Sequence, residues 1–209
     1  LESPKAQELF GILYGKDEDT VKSQVRRYRH LLDNYRQHFP EDSGDVHLFS
    51  TPGRTEVGGN HTDHNAGRVL AAAVNCDTIA AACKSNDGRI VIFSEGYPDV
   101  FVVDLSSLDP VTGERETTAS LIRGTAARFR ELGYSIGGFH AYVTSTVARG
   151  SGLSSSASIE VLIGTILNAL YNDNRIHPAI LAQTGQYAEN VYFGKPSGLM
   201  DQMACAIGG

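Results

Sequence analysis

The chain has 209 residues, 41% hydrophobic and 20% charged, the balance of a soluble globular protein with a real core. Its net charge of −6 argues against a nucleic-acid or anionic-membrane surface, and no apolar run approaches the ~18 residues that span a bilayer. No basic-then-apolar leader opens it, and three cysteines without metal-site spacing read as buried thiols of a reducing compartment, so the expectation is cytoplasmic.

Ser3-Pro4 is a cap and first helical position, which predicts a helix over 4–14 stopped by Gly15. Val21, Val25, Tyr28, Leu31, Leu32, Tyr35 and Phe39 then mark a longer amphipathic helix that ends before Pro40. A strand over 46–50 leads into a glycine-rich segment, and 69–74, 77–84, 89–93 and 100–103 read as further strands. Asn86-Asp87-Gly88 predicts a hairpin joining two of them. A loop over 105–116 precedes a helix over 117–132 capped by Gly133. One more strand over 139–146 and two helices complete the order, with no internal repeat. The fold class is α+β, a sheet packed with helices, strands clustering early and helices late.

RGSGLSSSASIE (149–160) sits between that last strand and a helix marked by Ile159, Leu162, Ile163, Ile166, Leu167 and Leu170. A flexible linker is the bland reading of such a Gly/Ser tract, and these flanks argue against it. A strand, a glycine-rich loop and a helix N-terminus make an anion cradle, because the first helical turn presents unpaired N–H groups and a partial positive charge. Gly150 and Gly152 permit close approach, while Ser154, Ser155 and Ser156 add hydroxyls for phosphate or a metal ion. No Walker motif is present.

TPGRTEVGGNHTDHNAGRVL (51–70) is the densest polar cluster, with Arg54, Glu56, Asn60, His61, Asp63, His64 and Asn65 among four glycines. His61, Asp63 and His64 could be imagined on a metal, but their order matches no strong zinc pattern. A plain surface turn is the other bland reading. Carboxylates, amides and imidazoles on one loop suit a sugar better, since each can take two hydroxyls. GKPSGLMDQMACAIGG (194–209) places Asp201 near a helix start, where capping is the simple role, and Glu189 lies twelve residues earlier, where a solvated helix carboxylate is. A carboxylate reaching back to a phosphate loop would instead suit Mg2+, which prefers oxygen ligands.

In this order the three segments resemble the signatures of the GHMP kinases, and most closely the galactokinase branch. The first resembles P-G-R-x-x-x-x-G-x-H-T-D, the second G-x-G-L-S-S-S-A over 150–157, and the third G-x-M-D-Q over 198–202; the match spans about 46–209. The resemblance implies a GHMP-kinase N-terminal domain: a mixed β-sheet packed with helices, its Gly/Ser-rich phosphate loop between strand and helix. It implies ATP-dependent phosphorylation of a sugar's anomeric hydroxyl, most simply galactose to galactose 1-phosphate. Asp201 would be the base, with Arg54 beside it keeping it ionised. Asn60, His61, Thr62 and Asp63 would hold the sugar. Gly150, Ser151, Gly152, Leu153, Ser154, Ser155 and Ser156 would form the ATP loop, and Ser156 and Glu189 would ligate Mg2+.

Two departures shape the expectation. Asn60 stands where galactokinases usually carry Glu, which leaves room for another sugar such as an amino sugar or pentose. Ala148-Arg149 replaces the usual Pro-x before the glycines, altering the loop's entry. A non-catalytic ATP- and sugar-binding sensor is the reading from another class, which the presence of Arg54, Ser156, Glu189 and Asp201 disfavours. The family's proteins are about twice this long. The chain is therefore expected to be an N-terminal domain over 1–209, with a helical segment (1–45) and a sugar- and ATP-binding core (46–209). A C-terminal domain of the same protein would be its partner, and without it the piece would be nearly inactive.

Overall fold

In the computed structural model, which describes residues 1–148 and 150–208, two helices come first, α1 (Pro4–Tyr14) and α2 (Glu18–His38). Ser3 caps α1 by accepting from Ala6 N, with Pro4 in the first turn, and Asp17 caps α2 by accepting from Thr20 N. Five strands follow, β1 (His47–Gly58), β2 (Leu70–Lys84), β3 (Arg89–Ser94), β4 (Phe101–Asp104) and β5 (Phe139–Ser145). They form one mixed sheet in the order β1-β2-β5-β3-β4, antiparallel except for β3 and β5. Helices α3 (Thr118–Glu131), α4 (Ser155–Tyr171), α5 (Pro178–Tyr187) and α6 (Met200–Ile207) complete the fold, with a π turn (Ala188–Phe193) between α5 and α6. The α+β class is as expected. Arg149, and with it half of the altered loop entry, lies outside the described residues, as does Gly209.

Two expectations are corrected. The strands read over 69–74 and 77–84 are a single strand of 15 residues. Pro52 pairs with Asp77 but Arg54 with Ala73, so β2 carries extra residues through a bulge. That bulge disrupts the two-residue alternation, and the sequence pattern reads as a break. The hairpin over Asn86-Asp87-Gly88 is also not formed. The chain does turn there, but β5 lies between β2 and β3 and pairs with both. The turn signal is local, whereas the partner of each strand is set by burial. Gly138 admits β5 to this slot: Ser85 N donates to its carbonyl, and a Cβ there would lie 2.7 Å from Ser85 Oγ.

Both faces of the sheet are covered. Ile79, Ala81, Cys83 and Tyr142 meet Phe10, Tyr28, Leu31 and Tyr35 of the first two helices. Ala80, Ala82, Ala141 and Val143 face α3, α4 and α5, with Ile122, Phe129, Leu162 and Ile166 among the contacts. This two-sided burial explains why the second half of β2 reads as a continuous apolar run. Buried Asp77 ties α1 and α2 to the sheet by accepting from Tyr14 (2.5 Å), Ser50 (2.6 Å) and Arg27. All three cysteines are free; Cys83 and Cys205 are buried, as expected, while Cys76 is only partly so. Among the described residues no helix is long and apolar enough to cross a membrane.

Candidate active site

The bulge in β1 and β2 brings the first segment against the phosphate loop. Just past it, Arg54 N donates to Leu153 O (3.1 Å) and the Arg54 guanidinium donates to Gly152 O. Arg54 is 6% exposed, so its charge needs partners. It has them: Nε donates to Asp201 Oδ1 and Nη2 to Oδ2, both at 2.7 Å, a bidentate fork. Ser154 donates to the same carboxylate at 2.5 Å. Burial opposes ionisation of Asp201, but the bonds from Arg54 and Ser154, with the positive charge of Arg54, outweigh it and hold this carboxyl below its ordinary range. Asp201 does not cap its own helix. It stands in the first turn of α6, and Asp63 Oδ2 accepts from Met200 N (2.9 Å) in its place.

His61 lies 2.8 Å from Arg54 through Nε2. Arginine only donates, so Nε2 accepts, which leaves the ring proton on Nδ1, 3.5 Å from Asp63 Oδ1. Asn60 and His61 are both left-handed, at φ 54 and 55, a conformation that costs about 1–2 kcal/mol for a residue with a Cβ. Glu56 offsets this by accepting from His61 N (2.9 Å), and Thr62 Oγ1 closes the turn on Gly59 O (2.8 Å). Thr62 therefore stabilises the loop, and neither it nor Asn60 lies on the cavity wall. Asp63 is half-buried and packs against Gly198, where a Cβ would fall 1.9 Å from Oδ2. Its Oδ1 is buried and makes no hydrogen bond among the described residues, lying 3.5 Å from His61 Nδ1, while Asp63 as a residue contributes to the cavity wall.

Gly150 and Gly152 take φ of 72° and 77°, and Ser151 Oγ closes the loop on Ala148 O at 2.6 Å. Ser154 is left-handed and makes no side-chain cap to α4. With its hydroxyl committed to Asp201, the first N–H groups of α4 are left for an anion. Ser155 and Ser156 stand at that helix start, and Ser156 Oγ donates to Glu189 Oε1 at 3.2 Å. Glu189 is 2% exposed, so it is not the solvated carboxylate its helical position suggested. Its other oxygen accepts from Gln202 Nε2 (2.9 Å), and Lys195 Nζ stands 3.5 Å from Oε1.

These groups converge on one cavity of about 450 Å³. Arg54, His61, Asp63 and Asp201 form one wall, the phosphate loop another, and Lys195 the rim. A second cavity of about 490 Å³ shares Ala148, Ser155 and Ser156 with it and continues between Ile92, Phe101, Ile122 and Val143. No sequence motif marks that second cavity. Lys195 and Gln202 lie within the third segment, where spacing alone suggests no role for them. Glu160 is the only charged residue in the apolar run of α4, four residues from Ser156 and on its face, which is a signal sequence reading could have used.

A mixed sheet with a Gly/Ser loop feeding a buried helix, and a carboxylate held by an arginine across it, defines the N-terminal domain of a GHMP kinase. Residues 120–209 match the family model of the GHMP kinases N terminal domain, and the chain belongs to that family. The fold is shared with Methanococcus jannaschii mevalonate kinase (TM-score 0.66, 16% identity, 80% of this chain and 53% of that one). Within the family, residues 33–84 match the galactokinase galactose-binding signature. The chain is similar to the galactokinase of Lacticaseibacillus casei, 37% identical over 78% of this chain and 42% of the relative. The Lactococcus lactis subsp. lactis galactokinase is 34% identical over 80% and 42%. The crystal structure of Lactococcus lactis galactokinase complexed with galactose superposes with a TM-score of 0.76 at 33% identity, covering 85% of this chain and 46% of that one. The chain thus spans less than half the length of the curated relatives it matches.

Proposed function

We propose that this chain is the sugar- and ATP-binding half of a kinase that phosphorylates the anomeric hydroxyl of galactose, giving galactose 1-phosphate and ADP. The observation that carries the reading is the Arg54–Asp201 fork with the phosphate-loop hydroxyl of Ser154 on the same carboxylate. It joins the three segments at one point. The anomeric oxygen attacks the γ-phosphorus, its proton passes to Asp201, the new O–P bond forms and the bond to ADP breaks. The depressed pKa keeps Asp201 ionised and makes it a weak base, which suffices if the transition state is loose. Arg54 stabilises charge on the transferring group, and the open N–H groups of α4 cradle the phosphates. His61 and Asp63, both on the cavity wall, are suited to ring hydroxyls. The second cavity is suited to the adenine base, since its apolar wall adjoins the phosphate loop.

Ser156 and Glu189 offer the hard oxygen donors that Mg2+ prefers, and they already share a hydrogen bond. Bound there with phosphate and water, the ion would neutralise charge on the nucleotide. Residues 1–209 would act as one unit, 1–45 as its helical flank, and a C-terminal domain of the same protein would close the two cavities. The test is to assay the full-length protein with ATP and a panel of sugars, reading ADP release and product structure. Galactose should be the best acceptor, phosphorylated at the anomeric oxygen. Phosphate on any other oxygen, or no sugar-dependent ADP release, would overturn the proposal.

A further inference from the structure

Behind the proposed metal ligands lies a second carboxylate that the reaction does not use. Glu160 is fully buried in α4, one turn beyond Ser156. Gln202, also fully buried, donates through Nε2 to Glu160 Oε2 and to Glu189 Oε2, both at 2.9 Å. One amide nitrogen thus joins two carboxyl groups, using both its hydrogens. Glu189 is left with Oε1, which accepts from Ser156 on the cavity wall and stands 3.5 Å from Lys195 Nζ. Gly185 closes the back of the cluster, where a Cβ would meet Glu160 Oε2 at 3.0 Å.

We infer that Glu160 and Gln202 form a positioning clamp that fixes Glu189 with one oxygen presented to the metal. The inference rests on the reading of Ser156 and Glu189 as Mg2+ ligands. A buried carboxylate ligand without a partner on its second oxygen could rotate, and support of this kind behind a ligand commonly changes metal affinity by about 10–100-fold. The geometry adds a coupling. Gln202 follows Asp201 directly in α6, and Glu160 follows Ser156 by one turn in α4, so the clamp ties the base and the phosphate loop to the same carboxylate. Burial, and then the negative charge of Glu189, push the Glu160 carboxyl far above its usual range.

The experiment measures binding of a non-hydrolysable ATP analogue to the full-length protein by calorimetry across Mg2+ concentrations. Glu160→Asp retracts the acceptor by one methylene and should raise the Mg2+ concentration needed for tight analogue binding by about tenfold or more. Glu160→Gln keeps a neutral acceptor in place and should restore the parent behaviour, and galactose affinity should not move in either. Gln202→Met removes the clamp from the other side and should match Glu160→Asp. Unchanged metal dependence in Glu160→Asp, or a loss in Glu160→Gln equal to it, would overturn the clamp. Glu189→Gln separates the two ideas: if it leaves the metal dependence unchanged, the ligand reading itself fails and the clamp falls with it.

Discussion

Two cavities share a wall at Ala148, Ser155 and Ser156, and they are built on opposite plans. The smaller is lined by charges that hold one another, Arg54 by Asp201 and Asp201 by Ser154, and Ser156 on its wall donates to the buried Glu189. The larger has an apolar wall of Ile92, Phe101, Ile122 and Val143, each of which would serve equally well in an ordinary core, with Glu95, Glu116 and several hydroxyls completing its lining. In the first, every group depends on a particular partner, so the residue types and their spacing are tightly constrained. Along the apolar wall of the second, shape decides, and many sequences make the same shape. Chemistry concentrated in a few paired charges should fail abruptly when one is changed, while binding spread over an apolar wall should fail gradually.

The largest effect is expected at the fork. Asp201→Asn removes the proton acceptor but keeps its size, and general-base catalysis contributes roughly 10²–10⁴-fold. Turnover of the full-length protein should fall by that range, with galactose affinity in calorimetry nearly kept. Near-normal turnover would mean that Asp201 only anchors Arg54. On the other side, Phe101→Ala opens the wall of the larger cavity, where Phe101 and Tyr97 pack edge to face at 5.4 Å. An aromatic contact and its buried area are worth a few kcal/mol at most. The KM for ATP should therefore rise by about tenfold while kcat and galactose affinity hold. A fall in kcat with unchanged KM would show that this wall serves the chemistry and not the base.

The same contrast explains what could be read in advance. The first two helices were legible because capping and apolar spacing are local, as Ser3-Pro4 and the α2 stripe demonstrate. Arg54, Asp201, Ser156 and Glu189 were legible through the segments that carry them, and the fold brings all four to one cavity or its immediate edge. The partner of β3 was not legible, because the insertion of β5 depends on residues some fifty positions later. The break seen in β2 was real as a bulge and wrong as an end, since the pattern reports loss of alternation and not loss of pairing. Thr62 and Asp63 also carry more structure than their motif suggests. Thr62 closes the turn, and Asp63 gives one oxygen to α6 while contributing to the cavity wall.

Asn60 tests the boundary between the two plans, and here the smallest effect is expected. It is exposed and left-handed, next to His61 but off the cavity wall. Asparagine tolerates that backbone better than glutamate does, so part of its role is the bend itself. Asn60→Glu adds a methylene of reach and a charged acceptor, worth about 1.5–3 kcal/mol against about 1 for a neutral bond. If the side chain reaches the sugar's hydroxymethyl group, preference for galactose over its 6-deoxy analogue should rise by up to about tenfold, as about 1.4 kcal/mol is one decade. Thermal stability should fall slightly at the same time, because glutamate fits the left-handed bend less well. The measurement is the ratio of kcat/KM for the two sugars in the full-length protein, beside the melting temperature. A lower melting temperature with an unchanged ratio would assign Asn60 to the bend alone. Discrimination among sugars would then belong to His61 and Asp63, which both line the cavity.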